Sequence, residues 1–251
     1  MNGTTYTPGH GQNASEFMAK RSFASHGQFF ARHLEPGLSV LDCGCGPGSI
    51  TLGIAQAVAP GATVGVDFGE SQIARAKAGV SATSLRNVSF QTADCYSLPF
   101  PAASFDRVFS HALFEHLNEP VRAMEELRRV LKPGGIIGLC SPDWGGFILS
   151  PPSDALTQAI LGYKTLQTRN GGDVEAGRKI GANLTATGFE VIEMSARYEC
   201  YSTLRFIGEY LALQLEGVGD EASAHTFRQW AGNTAGMFAQ AWVSAVARKP
   251  G

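Results

Sequence analysis

Hydrophobic and polar positions follow two alternating periods along most of the chain. Short apolar runs bounded by glycine or an acid are typical of buried strands, and apolar residues spaced three or four apart are typical of helices. The runs predict strands at 38–43, 63–67, 88–91, 105–110 and 136–140. The helical spacing predicts helices at 48–58, 70–79 and 119–131. Strands and helices that alternate in this way predict an α/β domain with a parallel sheet and right-handed crossovers.

The chain on either side of this alternation has a less regular pattern. Residues 15–34 have helical apolar spacing, and residues 142–152 are rich in Gly and Pro and predict a loop. Further along, the pattern predicts helices at 153–169, 174–187 and 203–216 and a strand at 189–195. Periodicity leaves open whether residues 242–248 close the sheet as a last strand or continue a helix.

The turn after the first predicted strand carries the strongest chemical signal. It holds a G-x-G-x-G pattern at Gly44, Gly46 and Gly48, and Ser49 stands where a dinucleotide fingerprint has its third glycine. Glycines allow backbone N–H groups to approach a ligand closely. Asp42 directly before the turn would repel a pyrophosphate but suits a cationic ligand. S-adenosylmethionine (SAM) fits, because it carries an ammonium and a sulfonium where NAD carries phosphates.

Five segments, in family-like order, resemble the class I SAM-dependent methyltransferases, and within them the small-molecule group around ubiquinone and menaquinone biosynthesis. They are Val40 to Gly48, Gly65-Val66-Asp67, Ala93-Asp94, Phe105-Asp106 through His116, and Leu131-Lys132-Pro133-Gly134-Gly135. The resemblance implies a Rossmann-like, doubly wound, mainly parallel seven-stranded sheet with a helical lid. It implies SAM as cofactor and S-adenosylhomocysteine (SAH) as product.

The resemblance and the pattern together predict one methyltransferase domain over 1–251. Within it we expect an N-terminal lid helix at 1–34, a SAM-binding core at 35–142, and acceptor-pocket and lid insertions with late strands at 143–235.

The resemblance implies specific contacts to the adenosine part of the cofactor. Asp67 ends the second predicted strand, where the family has an acid that accepts hydrogen bonds from the ribose hydroxyls; an N-cap of the next helix is the alternative. Phe68 and Gln72 lie where the family packs a side chain on the purine. Asp94 matches the acid that takes the adenine amino group, and its alternative is a turn-forming role.

At the methionine end, we expect Asp42 and the amides of Gly44 to Gly46 to contact the ligand. Arg21 is similar in position to a family arginine that meets the methionine carboxylate, although a solvated Lys20-Arg21 pair remains open. Tyr6 is a candidate lid residue. The expected cofactor contacts are therefore Tyr6, Arg21, Asp42, Gly44, Cys45, Gly46, Gly48, Asp67, Phe68, Gln72, Ala93, Asp94, Cys95, Ser110, His111 and His116.

Catalysis by in-line displacement at the sulfonium carbon needs mainly positioning, which can contribute roughly 7–11 kcal/mol. We therefore expect neither a covalent nucleophile nor a metal. The backbone at Ser110 and His111 should face the sulfonium, and His111 is the candidate general base because imidazole titrates near neutral pH. A role in shaping the pocket is its alternative. His116 fits a helix-start histidine of the family, which is more often a packing residue.

The irregular region should build the pocket for a small, partly apolar acceptor. Candidate substrate contacts are Trp144, Phe147, Arg169, Phe206 and Tyr210. The aromatic residues could equally belong to the core, and Arg169 could pair with Asp173 as a loop cap. Whether the acceptor atom is O, N or C stays open, as does the oligomeric state.

Composition narrows the partners and the location. The chain has 251 residues, 44% of them hydrophobic, and a net charge of −2, so it lacks the broad basic footprint of a nucleic-acid binder. No apolar run approaches the roughly 20 residues that cross a bilayer. The first thirty residues are polar, and five cysteines without a regular frame fit reduced thiols, so we expect a cytoplasmic protein without nucleic-acid or membrane partners.

Three rival functions remain. A nicotinamide oxidoreductase is disfavoured by Ser49 and Asp42. A non-catalytic SAM-binding regulatory protein stays open, because binding and turnover use the same loops. A thiol-based arsenic methyltransferase is disfavoured because Cys140 and Cys200 do not follow that family's pattern.

Overall fold

A seven-stranded sheet forms the centre of the computed structural model, which describes Thr7, residues 18–201 and residues 203–251. Its strands are β1 (Val40–Cys43), β2 (Thr63–Asp67), β3 (Val88–Thr92), β4 (Phe105–His111), β5 (Leu131–Ser150), β6 (Glu190–Cys200) and β7 (Met237–Arg248). Their order in the sheet is β3-β2-β1-β4-β5-β7-β6. Strands β1 to β5 run parallel, and β7 pairs antiparallel with both β5 and β6. The predicted doubly wound, mainly parallel sheet is therefore confirmed.

Helices cover both faces of the sheet. They are α1 (Ser49–Val58), α2 (Glu70–Ser81), α3 (Pro120–Val130), α4 (Asp154–Arg169), α5 (Ala176–Ala186), α6 (Leu204–Glu216) and α7 (Glu221–Ala231). Successive side chains of a strand point to opposite faces, so Val40 packs with α1 while Leu41 packs with α3 and α5. Helices α4, α6 and α7 form a separate apolar cluster together with Trp144 and Phe238.

The segment before β1 is helical but not one continuous α-helix. From residue 18 onwards it contains a π-helical turn at Phe23–Gly27 and a 3-10 turn at Gln28–His33. Ser22 and Ser25 cap the π turn reciprocally, each accepting the other's backbone N–H. The rest of the predicted helix at 15–34, and the candidate lid residue Tyr6, lie outside the described residues.

The predicted loop at 142–152 is wrong for most of its length. Strand β5 continues through it to Ser150, and Pro142 and Asp143 pair with Trp242 and Ala241 of β7. The register shifts between Asp143 and Ile148, which accommodates the glycines between them. The pairing partner lies about a hundred residues away, so the local Gly and Pro content pointed to a loop. The same pairing shows that residues 242–248 form a strand.

Candidate cofactor and acceptor site

A cavity of about 870 Å³ opens at the carboxyl ends of β1, β2 and β4. This is where parallel α/β sheets bind ligands, and the volume falls in the range of small-molecule sites. Of the sixteen expected cofactor contacts, thirteen line this cavity: Arg21, Asp42, Gly44, Cys45, Gly46, Asp67, Phe68, Gln72, Ala93, Asp94, Cys95, His111 and His116.

Asp42 is a buried carboxyl at the end of β1. Its Oδ2 accepts a 2.6 Å hydrogen bond from Oγ1 of Thr51 on the next helix. Burial raises the pKa of Asp42 to about 7, the Thr51 bond lowers it, and the charge of Asp67 raises it further. A buried carboxyl in this state gains most from a cationic partner, since an opposite charge favours its ionised form.

The amides of the glycine-rich turn are engaged by the protein itself, which corrects their expected role. The N–H groups of Gly44 and Cys45 both donate to the carbonyl of Val66, at 2.8 and 2.9 Å. The N–H of Gly46 donates to Oδ2 of Asp67 at 2.9 Å. These three amides therefore shape the cavity wall instead of offering donors to a ligand, and they cannot form a phosphate cradle.

Asp67 ends β2 and points its carboxylate into the cavity. Besides Gly46, the N–H of Gly69 donates to its Oδ1 at 2.8 Å. Gly69, not Asp67, occupies the N-cap position of α2. Each carboxylate oxygen accepts one of these bonds and has a second lone pair for a ligand donor.

The other adenosine-side candidates surround the same cavity. Phe68 is 72% exposed at the rim, and the Gln72 side chain is buried. Asp94 is exposed, and its Oδ1 accepts the N–H of Tyr96 at 2.9 Å, so its alternative reading as a turn-forming residue has direct support. Burial raises the pKa of Cys95 to about 12, so its thiol is protonated at neutral pH.

Gly48 and Ser110 are expected contacts that line neither cavity. A Cβ on Gly48 would lie 2.7 Å from the ring of Phe90, so this glycine gives room for packing between α1 and β3. Its φ of 80° also favours glycine. The Ser110 side chain is buried within the sheet. The structure thus gives Gly48 a packing role, and cofactor contacts at Gly48 and Ser110 stay predictions.

His111 is buried at the end of β4, stacked on Trp242 with ring centroids 4.7 Å apart. Neither ring nitrogen has a hydrogen-bond partner among the described residues. Burial, helped by the charges of Arg21, His26 and Arg197, holds its pKa well below the usual range. The imidazole is therefore neutral at pH 7 and a weak proton acceptor, so its role as general base stays a prediction.

A second cavity of about 60 Å³ adjoins the first. The two share Met18, Arg21, Ala112 and His116 in their walls. The remaining walls of the second cavity are mainly aromatic and amide side chains, with one carboxyl: Glu115, Pro142, Trp144, Tyr163, Gln167, Tyr201, Ile207, Tyr210, Gln240 and Trp242. A ligand in the large cavity therefore has a direct neighbour site with apolar faces and several polar groups.

Two of the five expected acceptor contacts, Trp144 and Tyr210, line this second cavity. Phe147 packs behind it, with its ring centroid 6.2 Å from Trp144. Phe206 lies outside the walls with the ammonium of Lys20 3.3 Å above its ring centroid. Arg169 is exposed at the end of α4, and Asp173 pairs with Lys179 instead. The local sequence pattern did not reveal which side each of these residues faces.

Arg21 and His116 stand at the junction of the two cavities. The guanidinium of Arg21 lies 5.1 Å from the ring of Trp242. Burial and the charge of Arg21 lower the pKa of His116 to about 3, which keeps its imidazole neutral. Arg21 thus brings the positive charge to this junction.

Sequence reasoning missed several wall residues of the second cavity: Glu115, Tyr163, Tyr201, Gln240 and Trp242. Glu115 had a usable signal, since an acid in the short connection after a buried strand of this fold lies near the ligand edge. The others reach the site from helix α4 and from the antiparallel pair of β6 and β7. No spacing along the chain brings them together.

Comparison with known proteins places the central segment in a family. Residues 41–139 match the model of a methyltransferase domain. An uncharacterized methyltransferase of Schizosaccharomyces pombe is 33% identical over 138 residues, 53% of this chain and 50% of that protein. A demethylmenaquinone methyltransferase of Symbiobacterium thermophilum is 36% identical over 113 residues, 44% of this chain and 45% of that protein.

The chain thus spans about half the length of the curated relatives it matches. The crystal structure of a putative methyltransferase of Bacillus halodurans shares the fold with a TM-score of 0.67 at 19% identity, covering 87% of this chain and 95% of that one. None of the helices within the described ranges is long and apolar enough to cross a membrane. Over residues 41–139 the chain is thus similar to methyltransferase domains, and it shares the fold of a solved methyltransferase structure.

Proposed function

We propose that this protein transfers the methyl group of SAM to a small, partly apolar acceptor by in-line displacement. The observation that carries the proposal is the junction of the two cavities. A site with carboxylates at the ends of β1 and β2 opens directly into an aromatic-walled site, and both share Arg21 and His116. Such a junction can hold donor and acceptor next to each other, which is the main requirement of methyl transfer.

The residues of the large cavity fit SAM better than a dinucleotide. Asp42 offers a buried carboxylate for an ammonium, and Arg21 offers a cation for the methionine carboxylate. Asp67 retains acceptor capacity for the ribose hydroxyls. The turn amides that would bind a pyrophosphate already donate to Val66 and Asp67. This engagement disfavours the rival nicotinamide oxidoreductase.

The acceptor-side proposal rests on the second cavity. Its tryptophan and tyrosine rings offer flat apolar faces, while the amides of Gln167 and Gln240 offer hydrogen bonds. The relative named for demethylmenaquinone methylation supports an apolar, ring-bearing acceptor. Under this proposal residues 35–142 form the SAM-binding core of a single domain. Residues 1–34 form a lid that supplies Arg21, and residues 143–235 build the acceptor pocket. The five free cysteines support the expected cytoplasmic location.

Calorimetric titration with SAM, SAH and NADH tests the cofactor assignment. We expect saturable binding of SAM and SAH and no binding of NADH. Incubation with methyl-labelled SAM and fractionated metabolite extracts then tests turnover, with label expected in one small-molecule fraction. Binding of NADH alone would refute the proposal. Tight SAM binding with no labelled product in any fraction would favour the non-catalytic regulatory protein.

A further inference from the structure

Glu115 is a buried carboxyl at the wall of the second cavity, for which the sequence gave no catalytic role. It lies in the 3-10 turn Phe114–His116 that follows β4, and its side chain is 4% exposed. The N–H of Asp173 and the amide of Gln167 donate to its backbone carbonyl, at 2.9 and 3.0 Å. These two bonds come from residues outside the 3-10 turn and hold the turn in place, which keeps the Glu115 carboxyl at the cavity wall.

The carboxylate of Glu115 is only partly engaged by its neighbours. Ser141 donates its hydroxyl to Oε2 at 2.9 Å, and Nε2 of His116 lies 3.6 Å from Oε1. A carboxylate can accept about four hydrogen bonds, so capacity remains on the cavity side. The contact of Oε1 with His116 is longer than that of Oε2 with Ser141, so Oε1 is the better placed oxygen for an acceptor group.

The charged and titratable groups around Glu115 favour proton exchange near neutral pH. Burial raises its pKa to about 7, while a hydrogen bond from its own backbone, the Ser141 bond and the charge of Arg21 lower it. His116 on its own turn stays neutral, and the phenol of Tyr210 and thiol of Cys140 face it from α6 and β5 with pKa values of about 12. Efficient general bases have a pKa close to the working pH. The neutral, weakly basic His111 lines only the cofactor cavity.

We propose that Glu115 accepts the proton lost by the acceptor, whose methylated atom is an oxygen or nitrogen that carries a hydrogen. The inference rests on the proposed function. As the acceptor atom forms its bond to the methyl carbon, the carbon–sulfur bond breaks and its electron pair stays on sulfur. The proton of the acceptor O–H or N–H moves to the Glu115 carboxylate. Methyl, proton and charge are thereby balanced, and no further reactant is required.

This role sets a limit on the distance between Glu115 and the sulfonium. A base lies roughly 3 Å from the atom it deprotonates, and that atom lies about 3–3.5 Å from the methyl carbon. The carboxyl must therefore lie within roughly 8 Å of a full positive charge when SAM is bound. That charge favours the carboxylate form, whereas the neutral sulfur of SAH does not. Binding of SAM should consequently release more protons than binding of SAH.

Calorimetry in phosphate and in Tris buffer at pH 7 measures this proton release without any acceptor. Because the pKa of Glu115 lies near 7, the carboxyl is partly protonated at this pH, so we expect SAM to release a larger fraction of a proton than SAH does. Asp42 pairs with the ammonium that both ligands carry, so its contribution cancels. Glu115→Gln should abolish the difference. Glu125→Gln, an exposed carboxylate on α3, should preserve it.

Each outcome decides the inference. An equal proton count for SAM and SAH, or a difference that persists in Glu115→Gln, would overturn it while leaving SAM binding intact. Failure of both ligands to bind would overturn the proposed function as well. If Glu115→Gln does not fold, infrared difference spectra of the unmodified protein serve instead. A protonated carboxyl band present with SAH and lost with SAM supports the inference, and an unchanged band contradicts it.

Discussion

The N–H of Gly46 donates a 2.9 Å hydrogen bond to Oδ2 of Asp67, which ties the glycine-rich turn after β1 to the end of β2. The other oxygen, Oδ1, accepts the N–H of Gly69 at 2.8 Å. One carboxylate thus orders two loops at the rim of the large cavity. Its remaining lone pairs are the ones proposed to meet the ribose, so loop order and ligand affinity depend on the same side chain.

Asp67→Ala should weaken SAM affinity by more than tenfold, about 1.4 kcal/mol, because it removes both the ribose acceptor and the loop anchor. Asp67→Asn keeps one oxygen acceptor and should lose less. Isothermal titration calorimetry measures both. Glu70→Gln, at a nearby exposed carboxylate, should bind as the unmodified protein does. An unchanged dissociation constant in Asp67→Ala would refute the ribose assignment.

Thr51→Val should destabilise the fold by about 1–3 kcal/mol, since it leaves the buried carboxyl of Asp42 without the Thr51 donor. Loss of this bond also moves the pKa of Asp42 upward, so SAM affinity should fall at pH 7 and recover at higher pH. Thr51→Ser retains the hydroxyl and serves as the control. Denaturant unfolding measures the change in stability, and calorimetry at two pH values measures the change in SAM affinity. A loss of affinity that does not depend on pH would contradict the link to Asp42.

The contributions of Asp42 and Glu115 to folding stability without ligand should decrease as pH rises from about 4 to about 7, whereas the lowered pKa values of His111 and His116 act in the opposite direction. Asp42 and Glu115 have ordinary pKa values of 3.8 and 4.5, and burial raises both to about 7 in the folded protein. At these two carboxyls the folded state therefore holds more protons in this window, and raising the pH removes their stabilising contribution. Asp42→Asn and Glu115→Gln should each remove a falling contribution, so that the Tm of each variant between pH 5 and 8 falls less, or rises more, with pH than that of the unmodified protein. Glu125→Gln, at an exposed carboxylate, should retain the full slope.

Gly48→Ala should destabilise the protein by about 2–4 kcal/mol. The φ of 80° strains any residue with a Cβ, and that Cβ would lie 2.7 Å from the Phe90 ring. Gly79→Ala is the matched control: it lies inside α2 with 3.9 Å of space, and should stabilise by about 0.5–1 kcal/mol. Chemical denaturation measures both variants. Equal stability of Gly48→Ala and the unmodified protein would refute the packing role.

Local sequence patterns predicted most of the residues that we expected to contact the cofactor and that line the large cavity. Asp42 and Asp67 lie at the ends of predicted strands and Asp94 lies just after one, and parallel strands of one sheet end at the same edge. The sequence could not show which backbone N–H groups of the turn stay available to a ligand. The hydrogen bonds from Gly44 and Cys45 to Val66 form only when β1 and β2 lie side by side.

The acceptor side depends on contacts between distant segments. Trp242 and Gln240 reach the second cavity because β7 lies between β5 and β6, a neighbour relationship that no local pattern encodes. Trp144 and Phe147 are both aromatic and lie three residues apart, yet Trp144 lines the second cavity and Phe147 packs behind it. The register shift between Asp143 and Ile148 accompanies this difference.

By itself the sequence determined the strand and helix alternation, the glycine turn and the acids at strand ends, since each of these features depends on residues that are close together in the chain. The tertiary structure decided the burial that moves the pKa values of Asp42, Glu115 and His111, and the pairing that brings Trp242 beside His111. Burial and long-range pairing arise from the packed chain as a whole, so their effects on charge appear only after folding.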